Sequence, residues 1–285
     1  MSYQDCFYAS NDGLSLYYRE YGKAADKCPI VCLSGLTRNS GDFHAFAERY
    51  SKDRLVFCLD YRGRGKSNYD PDPANYNPQT YLGDIMTFLA HTSVTEAAFV
   101  GTSLGGLLTM GLGGLAPQYV KAALLNDIGP EVSSAGGDRI AGYVGEDVRY
   151  SSLQEAVTAQ KVLYNSAYPD LSDDGWLTLC KTSYIFDEEQ ENYRANYDLA
   201  IGDALKEQIN NGESIDLWPF FAALKEVPTL AIRGALSDVL SAEIFQKMLD
   251  IHPNMQTLVL ENRGHVPLLD EPEALQVMDP FFDQY

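Results

Sequence analysis

Residues 97–110 read AAFVGTSLGGLLTM and place one serine, Ser103, among small residues where an apolar run gives way to a helical one. A serine hydroxyl is a weak nucleophile until a histidine takes its proton and an acid orients that histidine. Gly101-Thr102-Ser103-Leu104-Gly105 is a G-x-S-x-G pattern, which carries this chemistry only at a strand-to-helix turn. Ala-Ala-Phe-Val before it and Leu-Leu-Thr-Met after it supply that context. Such a turn lifts the hydroxyl above the sheet in a backbone so cramped that its neighbours must be small, and the helix behind it adds a positive N-terminal end. Taken alone, the five residues fit a plain glycine-rich turn as well.

The partners decide between the two. The chain order expected for this arrangement is serine, acid, histidine. Of the four histidines, His44 and His91 precede the serine in helical stretches, and His252 ends the helix before the last strand. His265, in ENRGHVPLL, follows that strand after a glycine, where loops gather above the strand ends, and is the expected general base. Asp238, in RGALSDVLS after the strand PTLAIRG, is the preferred acid; the lesser alternative is that it caps the helix that starts near Ser241, as loop aspartates commonly do. Asp127, in LLNDIGP after the preceding strand, is the second candidate. A tetrahedral intermediate also needs donors aimed at its oxyanion. The backbone N–H of Leu104 is one, and the loop SGLTRNSGDF offers the N–H of Leu36, with Thr37 as the alternative.

These residues must be held by a scaffold, and the pattern of elements describes one. CFYAS and LSLYYREYG flank NDG as a hairpin. PIVCLSG, RLVFCLD, AAFVG and AALLNDIGP then read as short apolar strands separated by helices at SGDFHAFAERYSK, PQTYLGDIMTFLAHTS and LGGLLTMGLGGLAPQYV. Nearly continuous apolar strands alternating with helices indicate a parallel sheet covered on both faces. From 132 to 215 the alternation stops. Helical periodicity appears at SLQEAVTAQKVLYNSAY and NYRANYDLAIGDALKEQ, with no convincing apolar strand and with nine large aromatics, so the segment reads as a helical insertion. Strands resume at PTLAIRG and QTLVLE. The expected organisation is a core of 1–131 and 216–285 with a cap of 132–215.

Composition narrows the function. A chain of 285 residues can bury a substantial core, and its 45% apolar content is ordinary for a globular protein. Its net charge of −19 repels phosphate backbones and anionic lipid, which argues against nucleic acid and membrane partners. The start, MSYQDCFYASNDG, has neither a basic nor an apolar leader region, and no stretch approaches a membrane span, so a cytoplasmic protein is expected. Cys6, Cys28, Cys32, Cys58 and Cys180 form an odd set without metal-ligand spacing, and free, buried thiols are expected.

On LSGLTRNSGDF, DYRGRGKS, GTSLGG, RGALSDVLS and RGHVPLLDEPE, the chain resembles the α/β-hydrolase superfamily, in the capped group of esterases, enol-lactonases and carbon–carbon bond hydrolases. The resemblance implies an α/β fold with a mostly parallel eight-stranded sheet flanked by helices, a helical cap after the sixth strand, and Ser103, Asp238 and His265 as a triad. Two departures stand out. Many relatives have His-Gly where this chain has Ser34-Gly35, and relatives that open epoxides or cleave carbon–halogen bonds have aspartate in place of Ser103. The implied activity is hydrolysis of a small ester or lactone through an acyl-enzyme, with no cofactor or metal. Carbon–carbon cleavage of a vinylogous diketone is the alternative, and a non-catalytic small-ligand-binding protein is a further one. The acidic surface points to a neutral substrate, and the cap aromatics to an apolar or aromatic one. Oligomeric state is not encoded in any of these features. Arg62, Arg64 and Lys66 in DYRGRGKS are expected to form a structural turn rather than an anion site.

Overall fold

The computed structural model describes residues 2–211 and 215–285; residue 1 and residues 212–214, which fall inside the expected core and cap ranges, lie outside it. Strands β1 (Tyr3–Ala9) and β2 (Ser15–Tyr21) pair as the antiparallel hairpin expected around NDG. They lead into β3 (Ile30–Leu33), β4 (Val56–Leu59), β5 (Ala97–Thr102) and β6 (Val120–Asn126). Two further strands, described below with the inserted segment's own three, complete an eight-stranded sheet.

The helices between these strands are α1 (His44–Tyr50), α2 (Pro78–His91) and α3 (Leu104–Leu115). Helix α2 starts where its sequence dictates: the Asn77 side chain accepts from the Thr80 N–H, and Pro78 follows, where a missing amide costs nothing. Strands β3, β4 and β5 are buried throughout, because helices cover both sheet faces. Alternation shows this directly. Val31 and Leu33 of β3 join one core cluster, while Ile30 and Cys32 join the other.

Between β6 and the next sheet strand the chain forms α4 (Ser134–Tyr143), β7 (Arg149–Tyr150), α5 (Leu153–Tyr164), α6 (Asp173–Ser183), β8 (Tyr184–Asp187), β9 (Asn192–Ala195), α7 (Ala200–Asn210) and α8 (Trp218–Ala222). Here the structure departs from the reading of an all-helical segment. NYRA, expected to start a helix, is the central strand of a small antiparallel sheet ordered β7-β9-β8. Its strands are short and partly exposed, so they lack the apolar run that marks a buried strand. Cross-strand pairs such as Phe186 with Tyr193, whose rings lie 5.1 Å apart, stabilise it instead. Tyr150, Ala156, Val157, Tyr168, Trp176 and Cys180 form the segment's own buried cluster.

The chain re-enters the main sheet with β10 (Thr229–Gly234), continues through α9 (Ala242–Ile251) and β11 (Gln256–Leu260), and ends in α10 (Pro272–Phe282). The order is β1-β2-β4-β3-β5-β6-β10-β11, and every pairing from β4 to β11 is parallel. Strands β5, β6, β10 and β11 are consecutive neighbours running the same way. Their carboxyl ends therefore open at one edge, and the loops carrying Ser103, Asp127, Asp238 and His265 all emerge there.

Candidate active site

Ser103 lies between β5 and α3 with φ +52° and ψ −117°, a strained conformation for a residue with a side chain. Tight packing around it enforces the turn. A Cβ on Gly101 would come within 2.4 Å of the Gly105 carbonyl oxygen, and one on Gly105 within 2.0 Å of the Leu33 carbonyl oxygen. The small neighbours of Ser103 are thus contact requirements between β5, α3 and β3. The Ser103 N–H donates to the Asn126 carbonyl at 3.1 Å, fixing the turn to the end of β6.

His265 sits past β11 with its side chain 10% exposed. Its Nε2 is 2.9 Å from Ser103 Oγ, and its Nδ1 is 2.7 Å from Asp127 Oδ2. The expected pairing of Ser103 with His265 is therefore present as geometry. The preferred acid is a correction: the structure places Asp127, not Asp238, against the imidazole. Asp127 is wholly buried at φ +53° directly after β6. Gly234 N–H donates to its Oδ1 at 2.8 Å, and Ser237 Oγ donates to its Oδ2 at 2.6 Å.

Asp238 is turned elsewhere. Its two oxygens accept from Arg139 Nε at 2.5 Å and Nη2 at 2.9 Å, a two-point ion pair between the loop after β10 and helix α4. Burial alone would raise the Asp238 carboxyl, but the Arg139 guanidinium outweighs it and holds the group below its ordinary range. Ser133 Oγ, which caps α4, also donates to the Asp238 carbonyl. The alternative role foreseen for Asp238, capping the following helix, falls to Ser241, whose side chain accepts from the Ile244 N–H.

Among the described residues, the N–H groups of Leu36, Thr37 and Leu104 have no acceptor. Leu104 N–H belongs to the first turn of α3, where the helix leaves its donors unpaired. The loop bearing Leu36 and Thr37 is held from behind, because Arg64 Nε donates to the Leu36 carbonyl at 2.8 Å and Arg38 N–H to the Gly35 carbonyl at 3.1 Å. Arg64 itself is fully buried among the rings of Tyr61, Tyr76 and Tyr81.

In the rest of DYRGRGKS, buried Arg62 pairs with Asp12, Asp70 and Asp84, while Lys66 pairs with Asp5 at the surface. That motif is a structural turn in this geometry, yet Arg64 also braces the loop beside the nucleophile, a link that sequence reading missed. Ser237 was missed as well, since a lone serine beside an aspartate carries no distinguishing spacing.

The remaining histidines lie apart. His44 meets Tyr21, His91 lies beside the rings of Tyr8 and Tyr18, and His252 meets the Val227 carbonyl. The five cysteines are free; Cys32, Cys58 and Cys180 are buried, whereas Cys6 and Cys28 are half-buried. Of the aromatics in the inserted segment, Tyr150, Tyr168 and Trp176 lie in that segment's own buried cluster and Tyr197 joins the main core, while Tyr143 and Tyr164 lie near Arg139 and Arg38. Among the described residues, no group of three or more His, Cys, Asp or Glu side chains could hold a metal ion, and no helix is long and apolar enough to cross a membrane.

A family model described as "Alpha/beta hydrolase family" matches residues 30–275. The 3-hydroxybutyrate-oligomer hydrolase of Cupriavidus necator is 30% identical over 271 residues, 93% of this chain and 92% of that protein. The 2-(acetamidomethylene)succinate hydrolase of Mesorhizobium japonicum is 24% identical, covering 95% of this chain and 92% of that one. The crystal structure of an alpha/beta hydrolase from Novosphingobium aromaticivorans superposes with a TM-score of 0.95 at 37% identity, covering 100% of this chain and 99% of that one.

Proposed function

The chain belongs to the alpha/beta hydrolase family, and on that premise we propose that it is a serine-dependent hydrolase of small carboxylic esters or lactones, capped by residues 132–215. Ser103 is the nucleophile, His265 the general base, and Asp127, in place of Asp238, the group that orients it. The observation that carries this reading is the continuous relay from Ser103 Oγ through the imidazole to Asp127, at 2.9 and 2.7 Å.

In the first half-reaction, Ser103 Oγ attacks the ester carbonyl as His265 Nε2 takes its proton. The carbonyl π electrons move to oxygen, and the N–H groups of Leu104 and Leu36 receive that charge. Collapse of the intermediate breaks the bond to the leaving alkoxide, which takes the proton back from His265 and departs as the alcohol. Water then repeats the sequence on the acyl-enzyme and releases the carboxylic acid. Asp127 holds the tautomer with the proton on Nδ1 and stabilises the imidazolium.

The Cupriavidus relative, by its name, hydrolyses oligomers of a hydroxy acid, which supports a short ester of that kind as substrate. Arg38 and Arg139 are each already matched by a carboxylate, Asp42 and Asp238, which fits an uncharged ester. The test is labelling by a fluorophosphonate probe with turnover of a panel of 4-nitrophenyl esters, lactones and a vinylogous diketone. Wild type should be labelled and should hydrolyse esters or lactones, and Ser103→Ala should do neither. An unlabelled, inert wild type would favour a binding protein on the same fold; selective diketone turnover would move the reading to carbon–carbon cleavage.

A further inference from the structure

His265 lies on a connection, residues 261–271, that contains neither helix nor strand. No regular backbone ladder holds this connection, so beside the imidazole's own bonds to Asp127 and Ser103 its position depends on the tethers of its neighbours. The residues on either side of it, Gly264 and Val266, are both held by the inserted segment rather than by the sheet. Gly264 N–H donates to the Ala167 carbonyl at 2.7 Å. The Tyr168 hydroxyl accepts from the Val266 N–H at 2.8 Å and donates to the Val266 carbonyl at 2.9 Å, so one oxygen closes on both polar groups of that residue.

Two residues further, Asp170 accepts from Asn262 Nδ2 at 3.2 Å and pairs with Arg263. The core contributes tethers at greater remove: Asn126 Nδ2 to the Pro267 carbonyl at 2.9 Å, and Leu236 N–H to the Arg263 carbonyl at 2.9 Å.

Tyr168 is suited to this role by where its ring is rooted. The residue is 7% exposed and its ring packs edge-on against Trp176 at 5.8 Å, inside the cap's own cluster, against which Leu268 of the histidine loop also packs, while its hydroxyl reaches Val266. Displacement of residues 167–170 would therefore release the polar groups flanking His265.

We propose that Tyr168 is a positioning residue for the reaction: acting through Val266, it sets the place of the His265 imidazole, so the base is aligned only while residues 167–170 stay docked. The cap then does more than cover the site, because its seat on the core is a condition of an assembled relay. This inference rests on the serine-hydrolase reading above.

The experiment compares full-length wild type, Tyr168→Phe and Trp176→Phe, the last loosening the cap's core without touching Val266. Displacements of about 1 Å in a reacting group cost on the order of 100-fold in rate, so Tyr168→Phe should lower kcat on a 4-nitrophenyl ester by about 10- to 100-fold with KM within about threefold. The rate of fluorophosphonate labelling, which needs only an aligned Ser103 and His265, should fall by the same factor. Trp176→Phe should lower the melting temperature and slow labelling by clearly less than Tyr168→Phe does, because it weakens the packing of the Tyr168 ring but leaves both hydrogen bonds to Val266 in place.

Wild-type labelling in Tyr168→Phe, or equal slowing by both variants, overturns the proposal. If Tyr168→Phe does not fold, Asp170→Ala takes its place; slowed labelling supports the clamp and an unchanged rate overturns it. A wild type that resists the probe would sink the serine reading and the clamp together, whereas a labelled wild type beside an unaffected Tyr168→Phe sinks the clamp alone.

Discussion

The loops that follow β6 and β10 each carry an aspartate above the same sheet edge, and the two carboxylates live in different environments. Asp127 is wholly buried, and its oxygens are occupied by a backbone N–H, a serine hydroxyl and the imidazole. Asp238 keeps 37% of its side chain exposed and spends both oxygens on one guanidinium. The first meets Nδ1 of a histidine; the second ties the loop after β10 to helix α4. A carboxylate at a strand end is thus not defined by its position after a strand. The donors that neighbouring loops aim at it define what it does, and here the loop after β10 donates to Asp127 through Gly234 and Ser237 rather than supplying the acid itself.

That contrast can be broken by substitution, and the largest effect is expected at Asp127. Asp127→Asn preserves shape but leaves the imidazole without its anionic partner, and comparable changes in serine–histidine–aspartate relays cost about 10⁴-fold in kcat. Steady-state turnover of a 4-nitrophenyl ester checks this; near-normal rates, with collapse in Asp238→Asn, would return the role to Asp238.

Ser237→Ala should have an intermediate effect. It removes one hydrogen bond to a buried carboxylate, and bonds to charged groups contribute about 1.5–3 kcal/mol, so kcat/KM should fall by roughly 10- to 100-fold if that bond mainly orients Asp127. Unchanged kcat/KM would show that Gly234 N–H alone suffices.

Asp238→Asn should have the smallest effect on turnover, within about threefold, with a stability loss within about 1 kcal/mol because the pair is partly exposed and screened. Its pH dependence follows from the lowered carboxyl. A group held below its unfolded value of 3.8 contributes stability that is present above that value and lost as pH falls through the still lower folded value. The difference in melting temperature between wild type and Asp238→Asn should therefore be constant from pH 5 to 8 and shrink only in stronger acid. A difference that already vanishes near pH 6 would mean that the Arg139 pair does not set it.

The main sheet was legible because each of its central strands is a short apolar run between helical periods, a pattern that covering on both faces produces and that survives any choice of neighbours. The inserted segment was less legible. Strands β8 and β9 form a hairpin, but each is only four residues long and is exposed on part of every residue, so no alternation of buried and exposed positions marks them in the chain. NYRA thus looks like the start of the helix that follows it. The roles of Arg64 and Tyr168 were hidden for a related reason. Each acts on a residue distant in sequence, Leu36 and Val266 respectively, and local spacing holds no record of such contacts.

The amino-acid sequence alone determined the fold class and the candidacy of Ser103 and His265. A strained turn between strand and helix demands small residues at fixed offsets, and only one histidine follows the last strand. It also reduced the acid to two aspartates, because both lie in loops that follow apolar strand-like runs. Which of them meets the imidazole was decided by tertiary structure: Arg139 approaches one from helix α4, while Gly234 and Ser237 donate to the other from the end of β10 and the loop after it, and hydrogen-bond partners that converge from distant segments leave no pattern along the chain.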